Sequence, residues 1–321
     1  MKIFQRFSSQ HGDFIHDMSF DFYGKRLATC SSDRKIKIWE KDAQWQLQSE
    51  WTAHQASVWK VTWAHPEYGQ IVASCSFDRT VIVWEESMAK PPSQATLVAP
   101  DGLAASPSPA WTLQAQLTDA RESVHDVKFA PRHLGLRLAT ASADGYVRMY
   151  EASNPMNLSE WTLPENFLAD SEGATCLSWN SNRFDMPMIL VGGNSNVAKV
   201  WGFTSARQWH VLAELVGHKD IIHDVCWAPN LGRSCHYLAT AGKDRTIRIW
   251  RMKLTSSRQE LSEIKQVAIK DHGSFEVWRV QWNVTGTMLA STGDDGTVRM
   301  WQQDHQHQWQ CVSTVSGDMS S

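Results

Sequence analysis

No run of this chain approaches the roughly 18 consecutive apolar residues that a membrane helix needs, so no membrane insertion is expected. Charge of one sign is also missing: 31 Lys and Arg stand against 34 Asp and Glu, a formal net charge of −3. Proteins that hold nucleic acid through its phosphates usually carry a basic excess on one face, so no direct nucleic-acid contact is expected. The six cysteines, Cys30, Cys75, Cys176, Cys226, Cys235 and Cys311, form no CxxC pair, which removes the common zinc and redox spacings. Cysteines inside apolar strands behave as small buried residues, and reduced thiols in a cytosolic or nuclear setting fit best. The N-terminal stretch MKIFQRFSSQHGDF has no long apolar run and no small-residue cleavage site, so no secretory signal is expected. No HExxH, GxSxG, P-loop or paired-carboxylate signature occurs. Neither catalytic residues, nor a metal, nor any other cofactor is therefore expected, and the chain reads as a non-enzyme.

What is present is repetition. The stretch HQASVWKVTWAHPEYGQIVASCSFDRTVIVW, from His54 to Trp84, reads as three short strands with alternating apolar residues, at Val58 to Trp63, Ile71 to Ser76 and Thr80 to Glu85. Variants of it recur at the spacing of a WD-type repeat, roughly 40–45 residues. Six repeats are expected, at about 10–50, 54–117, 119–165, 170–216, 218–270 and 272–316. The fold class is then all-β, a WD-repeat β-propeller of six blades, with residues 1–321 read as a single domain. Residues 88–110 break the second repeat with Pro, Ala and Ser, a composition that builds no core and predicts an exposed, mobile insertion. Ser106 and Ser108, each before a proline, are candidate phosphorylation sites within it.

Five of the six repeats carry a polar signature: Ser or Thr, then Asp four residues on, then an aromatic residue six further. It reads Thr29, Asp33, Trp39; Ser74, Asp78, Trp84; Thr140, Asp144, Tyr150; Thr240, Asp244, Trp250; and Ser291, Asp295, Trp301. His11, His54, His218 and His272 precede four of these units. A turn Asp and a loop His shielded from water must hydrogen-bond each other, the hydroxyl and the indole N–H. A His/Asp/Ser set seen once suggests a nucleophile; five copies at one spacing predict a structural network. Ala120 takes the His position of the third repeat and Ser195 the Asp position of the fourth, so that blade should rely more on packing.

The ends of the chain set a question of closure. Lys2 to Ser8 alternates like a strand, while the sixth repeat is expected to own four strands already. Either the first and sixth blades meet in a closed ring, or a partner adds strands beside residues 2–8 to make a further blade by strand addition.

The wording of the repeats is more specific than a generic WD pattern. IHDMSFDFYGKRLATCSSDRKIKIW, SVWKVTWAHPEYGQIVASCSFDRTVIVWEE, VHDVKFAPRHLGLRLATASADGYVRMYEA, MNLSEW and IIHDVCWAPNLGRSCHYLATAGKDRTIRIW closely resemble the SEH nucleoporin, or Sec-thirteen homologue, family. The resemblance is densest over residues 11–163 and looser in the fourth repeat and the tail. It implies an open six-bladed propeller completed by the N-terminal blade of a helical-solenoid nucleoporin, within the Y-shaped scaffold of the nuclear pore at the nuclear envelope. It also implies the other subunits of that scaffold as partners, a part in protein and mRNA transport, and membership of a lysosome-surface complex that regulates TOR signalling. Carried over by position, partner contacts fall on Ile3, Phe4 and Phe7 and on the outer faces of the first and sixth blades. A different class of function, a closed adaptor such as a cullin ubiquitin-ligase substrate receptor, is the alternative. Trp250-Arg251-Met252-Lys253 loosely resembles the ending of such receptors, but Arg251 stands where they carry an acid.

Overall fold

The computed structural model describes residues 5–87, 110–204, 207–255, 257 and 260–317. Ile3, Phe4, Ser106, Ser108 and the insertion up to residue 109 lie outside the described residues. Within them the chain forms six four-stranded sheets, each built from four strands consecutive in sequence. This is the six-bladed WD-repeat propeller class, one sheet per repeat. The inner strands are Ile15–Phe20, Val58–Trp63, Val124–Phe129, Ala174–Trp179, Ile222–Trp227 and Val277–Trp282. The outer strands are Trp45–Thr52, Ala110–Leu117, Asn157–Leu168, Trp209–Val216, Leu261–Asp271 and Trp309–Ser316.

The second strand of each of the first five sheets is covered on both faces, and its sequence shows it; in the sixth, Met288–Gly293 is only partly covered. Ile71–Ser76 (IVASCS) and Met188–Gly193 (MILVGG) are buried at every position, as sheet interiors with no polar face require. The outer strands alternate instead; Asn157–Leu168 turns every second side chain out for most of its length. Between second and third strands a tight turn puts one residue in the left-handed region: Arg34, Arg79, Asn196, Arg245, Gly145 and Gly296. At Arg34, Arg79 and Arg245 a non-glycine side chain is tolerated because the preceding Asp holds the turn. Its carboxylate accepts the N–H two residues on, as Asp78 does from Thr80 and Asp244 from Thr246, at 3.0 and 3.1 Å.

Tertiary contacts divide the chain, read above as one domain, into two compact units. One comprises Phe7–Phe129 and Glu151–Thr162. Its core lies between the first two sheets, with Ala28, Cys30, Ile36 and Ile38 packed on Val58, Val61, Val72 and Trp84. The other holds Ala130–Tyr150 and Leu163–Ser321. There Met188, Leu190 and Val200 pack on Val225, Trp227 and Leu238. Ala239, Ile247 and Ile249 pack in turn on Val280, Trp282 and Leu289. Polar stitches repeat between neighbouring sheets. Asp17 accepts the Val61 N–H and Asp224 the Val280 N–H, at 3.3 and 2.9 Å. The indoles of Trp63 and Trp282 donate to the Ser19 and Cys226 carbonyls.

Residues 5–8 carry no strand, where the alternation of Lys2 to Ser8 predicts one. Phe7 instead lays its ring on the first sheet, 5.0 Å from Trp39 and 5.9 Å from Trp45. Burial of an aromatic ring on its own chain has taken the place of backbone pairing.

Candidate protein-interaction site

The polar signature assembles as a directional chain of hydrogen bonds. In the second sheet Trp84 Nε1 donates to Ser74 Oγ at 3.0 Å, Ser74 meets His54 Nε2 at 2.8 Å, and His54 Nδ1 meets Asp78 at 3.0 Å. An indole can only donate and a carboxylate can only accept, so Trp84 donates at one end of the chain and His54 Nδ1 carries the proton donated to Asp78 at the other. Trp39, Thr29, His11 and Asp33 repeat this geometry in the first sheet. Trp250, Thr240, His218 and Asp244 repeat it in the fifth. Burial alone raises the carboxyls of Asp78 and Asp244. The hydrogen bonds from His54 and His218 and from Thr80 and Thr246 outweigh it and hold both well below the usual carboxylate range.

Three sheets depart from the scheme, each for a visible reason. In the third, Ala120 offers no imidazole, and Asp144 is met instead by the Arg148 guanidinium, which also donates to Ser142 Oγ; Thr140 and Tyr150 are buried. In the fourth, the acid has changed sides. Asp170, four residues before the inner strand like His11, His54 and His218, accepts both the Ser195 hydroxyl at 2.6 Å and the Ser195 N–H at 3.1 Å. Val191 stands where other sheets have a hydroxyl, and the buried Trp201 indole N–H has no partner. Trp201 is held by Phe167, 4.3 Å away. In the sixth, His272 stands five residues before its strand, and the extra residue draws it off the acid. His272 still meets Ser291, and Trp301 donates to Ser291, but His272 Nδ1 is 3.9 Å from Asp295 and unpartnered. Arg299 takes Asp295 at 2.7 Å. Burial, with the Arg299 charge, pushes the His272 imidazole down to about 4. These networks tie loops to strands, and among the described residues no three His, Cys, Asp or Glu side chains converge on a metal-binding geometry.

The inner strands differ from sheet to sheet in how far their apolar face is covered. Their fourth and sixth residues, on the face that packs onto the preceding sheet, are equivalent from sheet to sheet. Val61, Val127, Leu177, Val225 and Val280 at the fourth position are 0–3% exposed. In the first sheet the same positions hold Met18 and Phe20, and these are 65% and 54% exposed. Phe7, itself 40% exposed, covers the Trp39 end of that face. The sixth sheet shows the complementary feature. Val298 and Met300 are only half-buried, whereas their counterparts in the fifth, Ile247 and Ile249, are fully buried. The family resemblance implied contacts at Phe7 and on the outer face of the first blade but singled out neither Met18 nor Phe20, although the position of Met18 is buried in every other inner strand and that of Phe20 is buried or half-buried.

The chain matches the family model described as WD domain, G-beta repeat, over residues 2–40, 45–85, 209–251 and 263–302. It is 44% identical to Nucleoporin SEH1-A of Xenopus laevis, over 99% of this chain and 89% of that protein. It is 45% identical to Nucleoporin SEH1 of Homo sapiens and of Bos taurus, over 100% of this chain and 90% of theirs. The chain belongs to the SEH1 nucleoporin family. In this SEH1-family chain the repeated His and Asp residues are parts of the blades, and incompletely covered apolar faces set the first and sixth sheets apart.

Proposed function

We propose that this chain is a non-catalytic scaffold subunit of the nuclear pore, at the nuclear envelope, and that it binds a helical-solenoid nucleoporin by accepting a β-blade from it. The observation that carries the reading is the exposure of Met18, at a position buried in every other inner strand, and of Phe20, at a position that is buried or half-buried in the others. Fully burying a Met or Phe side chain is worth about 1.5–3 kcal/mol, so covering the exposed parts of these two gives on the order of 2–3 kcal/mol. Left open, such a face is an aggregation hazard. No sheet among the described residues mixes N- and C-terminal strands, so the usual intramolecular way of joining first blade to last is not used by them. Ile3, Phe4 and Phe7 extend the contact under this reading, and the remaining subunits of the Y-shaped scaffold assemble around the pair in support of protein and mRNA transport. A place in the lysosomal TOR-regulating complex rests on the resemblance alone.

Affinity purification of the tagged chain followed by mass spectrometry tests this. Wild type should recover a solenoid nucleoporin, and Met18→Asp with Phe20→Asp should lose it, while Met156→Asp, at an exposed turn, should not. Retention of the solenoid by the double variant sinks the proposal. Recovery of lysosomal complex subunits in the same purification tests the second location.

A further inference from the structure

Near the start of the inner strands a bulge after the first residue leaves the second side chain off both faces of its sheet, a device that re-aims side chains. Two Trp residues sit at this position, each backed by a His at the same position of the preceding sheet. Trp59 lies 4.4 Å from His16, and Trp278 lies 4.0 Å from His223, stacked at 16°. Their other surroundings differ. Phe77 packs edge-on against Trp59 at 4.8 Å. The position equivalent to Phe77, one past the residue paired with the first of the strand, is Asp294 in the sixth sheet. Asp294 Oδ1 accepts the Trp278 indole N–H. Glu276 likewise stands where the second sheet has Ser57, and its Oε2 meets His223 Nε2 at 3.0 Å. An aromatic neighbour and a hydroxyl have been exchanged for two carboxylates around an indole that is 41% exposed.

We propose that Trp278, with Glu276 and Asp294, is a docking platform for an arginine side chain of a partner protein. The indole face attracts a cation through its quadrupole, and a planar guanidinium can stack on it while its edge N–H groups reach carboxylates. Asp294 Oδ2 and Glu276 Oε1 are the acceptors offered to that edge, since the bonds to Trp278 and His223 use the other oxygen of each. His223 fixes the ring from behind, so the platform exists before the ligand arrives.

The test is a two-dimensional spectrum of the indole N–H groups of the full chain, titrated with N-acetyl-arginine methylamide. The Trp278 signal is the one that vanishes in Trp278→Phe. It should shift saturably at millimolar ligand, and the neutral isostere N-acetyl-citrulline methylamide should bind at least fivefold more weakly. Glu276→Gln, a surface change that leaves the sheets intact, should weaken the arginine titration at least threefold, and the Trp59 signal should stay still. An unmoved Trp278 signal, an equal response to citrulline, no effect of Glu276→Gln, or an equal shift of Trp59 overturns the proposal.

Discussion

Replacing one network aspartate by asparagine should have very different consequences in the second and sixth sheets. Asp78 accepts four bonds: His54 Nδ1 and the Gln55 N–H at Oδ2, and the Thr80 N–H and hydroxyl at Oδ1. Whichever way an asparagine amide is turned, its NH₂ faces two donors, so two charge-assisted bonds are lost in a site with little water. At about 1–2 kcal/mol for each, Asp78→Asn should cost about 2–4 kcal/mol. Asp295 is different. Its Oδ1 accepts from Thr297 and its Oδ2 from Arg299, while His272 Nδ1 is already out of reach. An asparagine can keep its oxygen toward Thr297 and give up only the partly exposed Arg299, at about 1 kcal/mol. Hydrogen exchange followed by mass spectrometry, on the chain with whatever partner co-purifies, reads each sheet separately. Exchange in Ile71–Ser76 should accelerate roughly 30-fold or more in Asp78→Asn, against less than about tenfold for Met288–Gly293 in Asp295→Asn. Equal acceleration, or a larger effect at Asp295, would refute the view that the sixth network is uncoupled.

Acid should loosen the sixth sheet before the others. His272 is held neutral down to about 4 in the folded chain against about 6.5 unfolded. Its contribution, on the order of 3 kcal/mol, is therefore complete above pH 6.5 and is lost as pH falls toward 4. Asp78 and Asp244, whose folded values are depressed, keep theirs until pH drops below the ordinary carboxylate range. Exchange at pH 7, 5.5 and 4.5, corrected for intrinsic rates, should show that order; simultaneous loosening would contradict it. Trp201→Phe should destabilise less than Trp250→Phe by about 1 kcal/mol, because the Trp250 indole N–H is bonded to Thr240 and that of Trp201 is not; urea midpoints compare them. Gly193→Ala should disrupt the fourth sheet's substitute network, since a Cβ there would meet Asp170 Oδ2 at 2.0 Å. Loss of protection around Ser195 is the readout.

The sequence by itself determined the strands and the regular networks. Alternation marks the strand faces, and the Ser/Thr–Asp–aromatic spacing is fixed because the two strands and the turn between them have fixed lengths. Short-range geometry therefore sufficed to pair Thr29 with Trp39 or Ser74 with Trp84. Only the tertiary structure decided where compensation occurs. Asp170 answers for Ser195 across loops whose closeness no spacing rule encodes, Arg148 turns back onto Asp144 within its own hairpin where Ala120 brings no imidazole, and one extra residue before the sixth inner strand detaches His272 from Asp295. Phe7, read as part of a strand, proved to spend its burial on Trp39. Met18 and Phe20 follow the apolar pattern of every other inner strand; their exposure became visible only once each equivalent residue had a neighbour to be compared against. Pattern tells which face of a strand is apolar. What covers that face is a property of the packed chain.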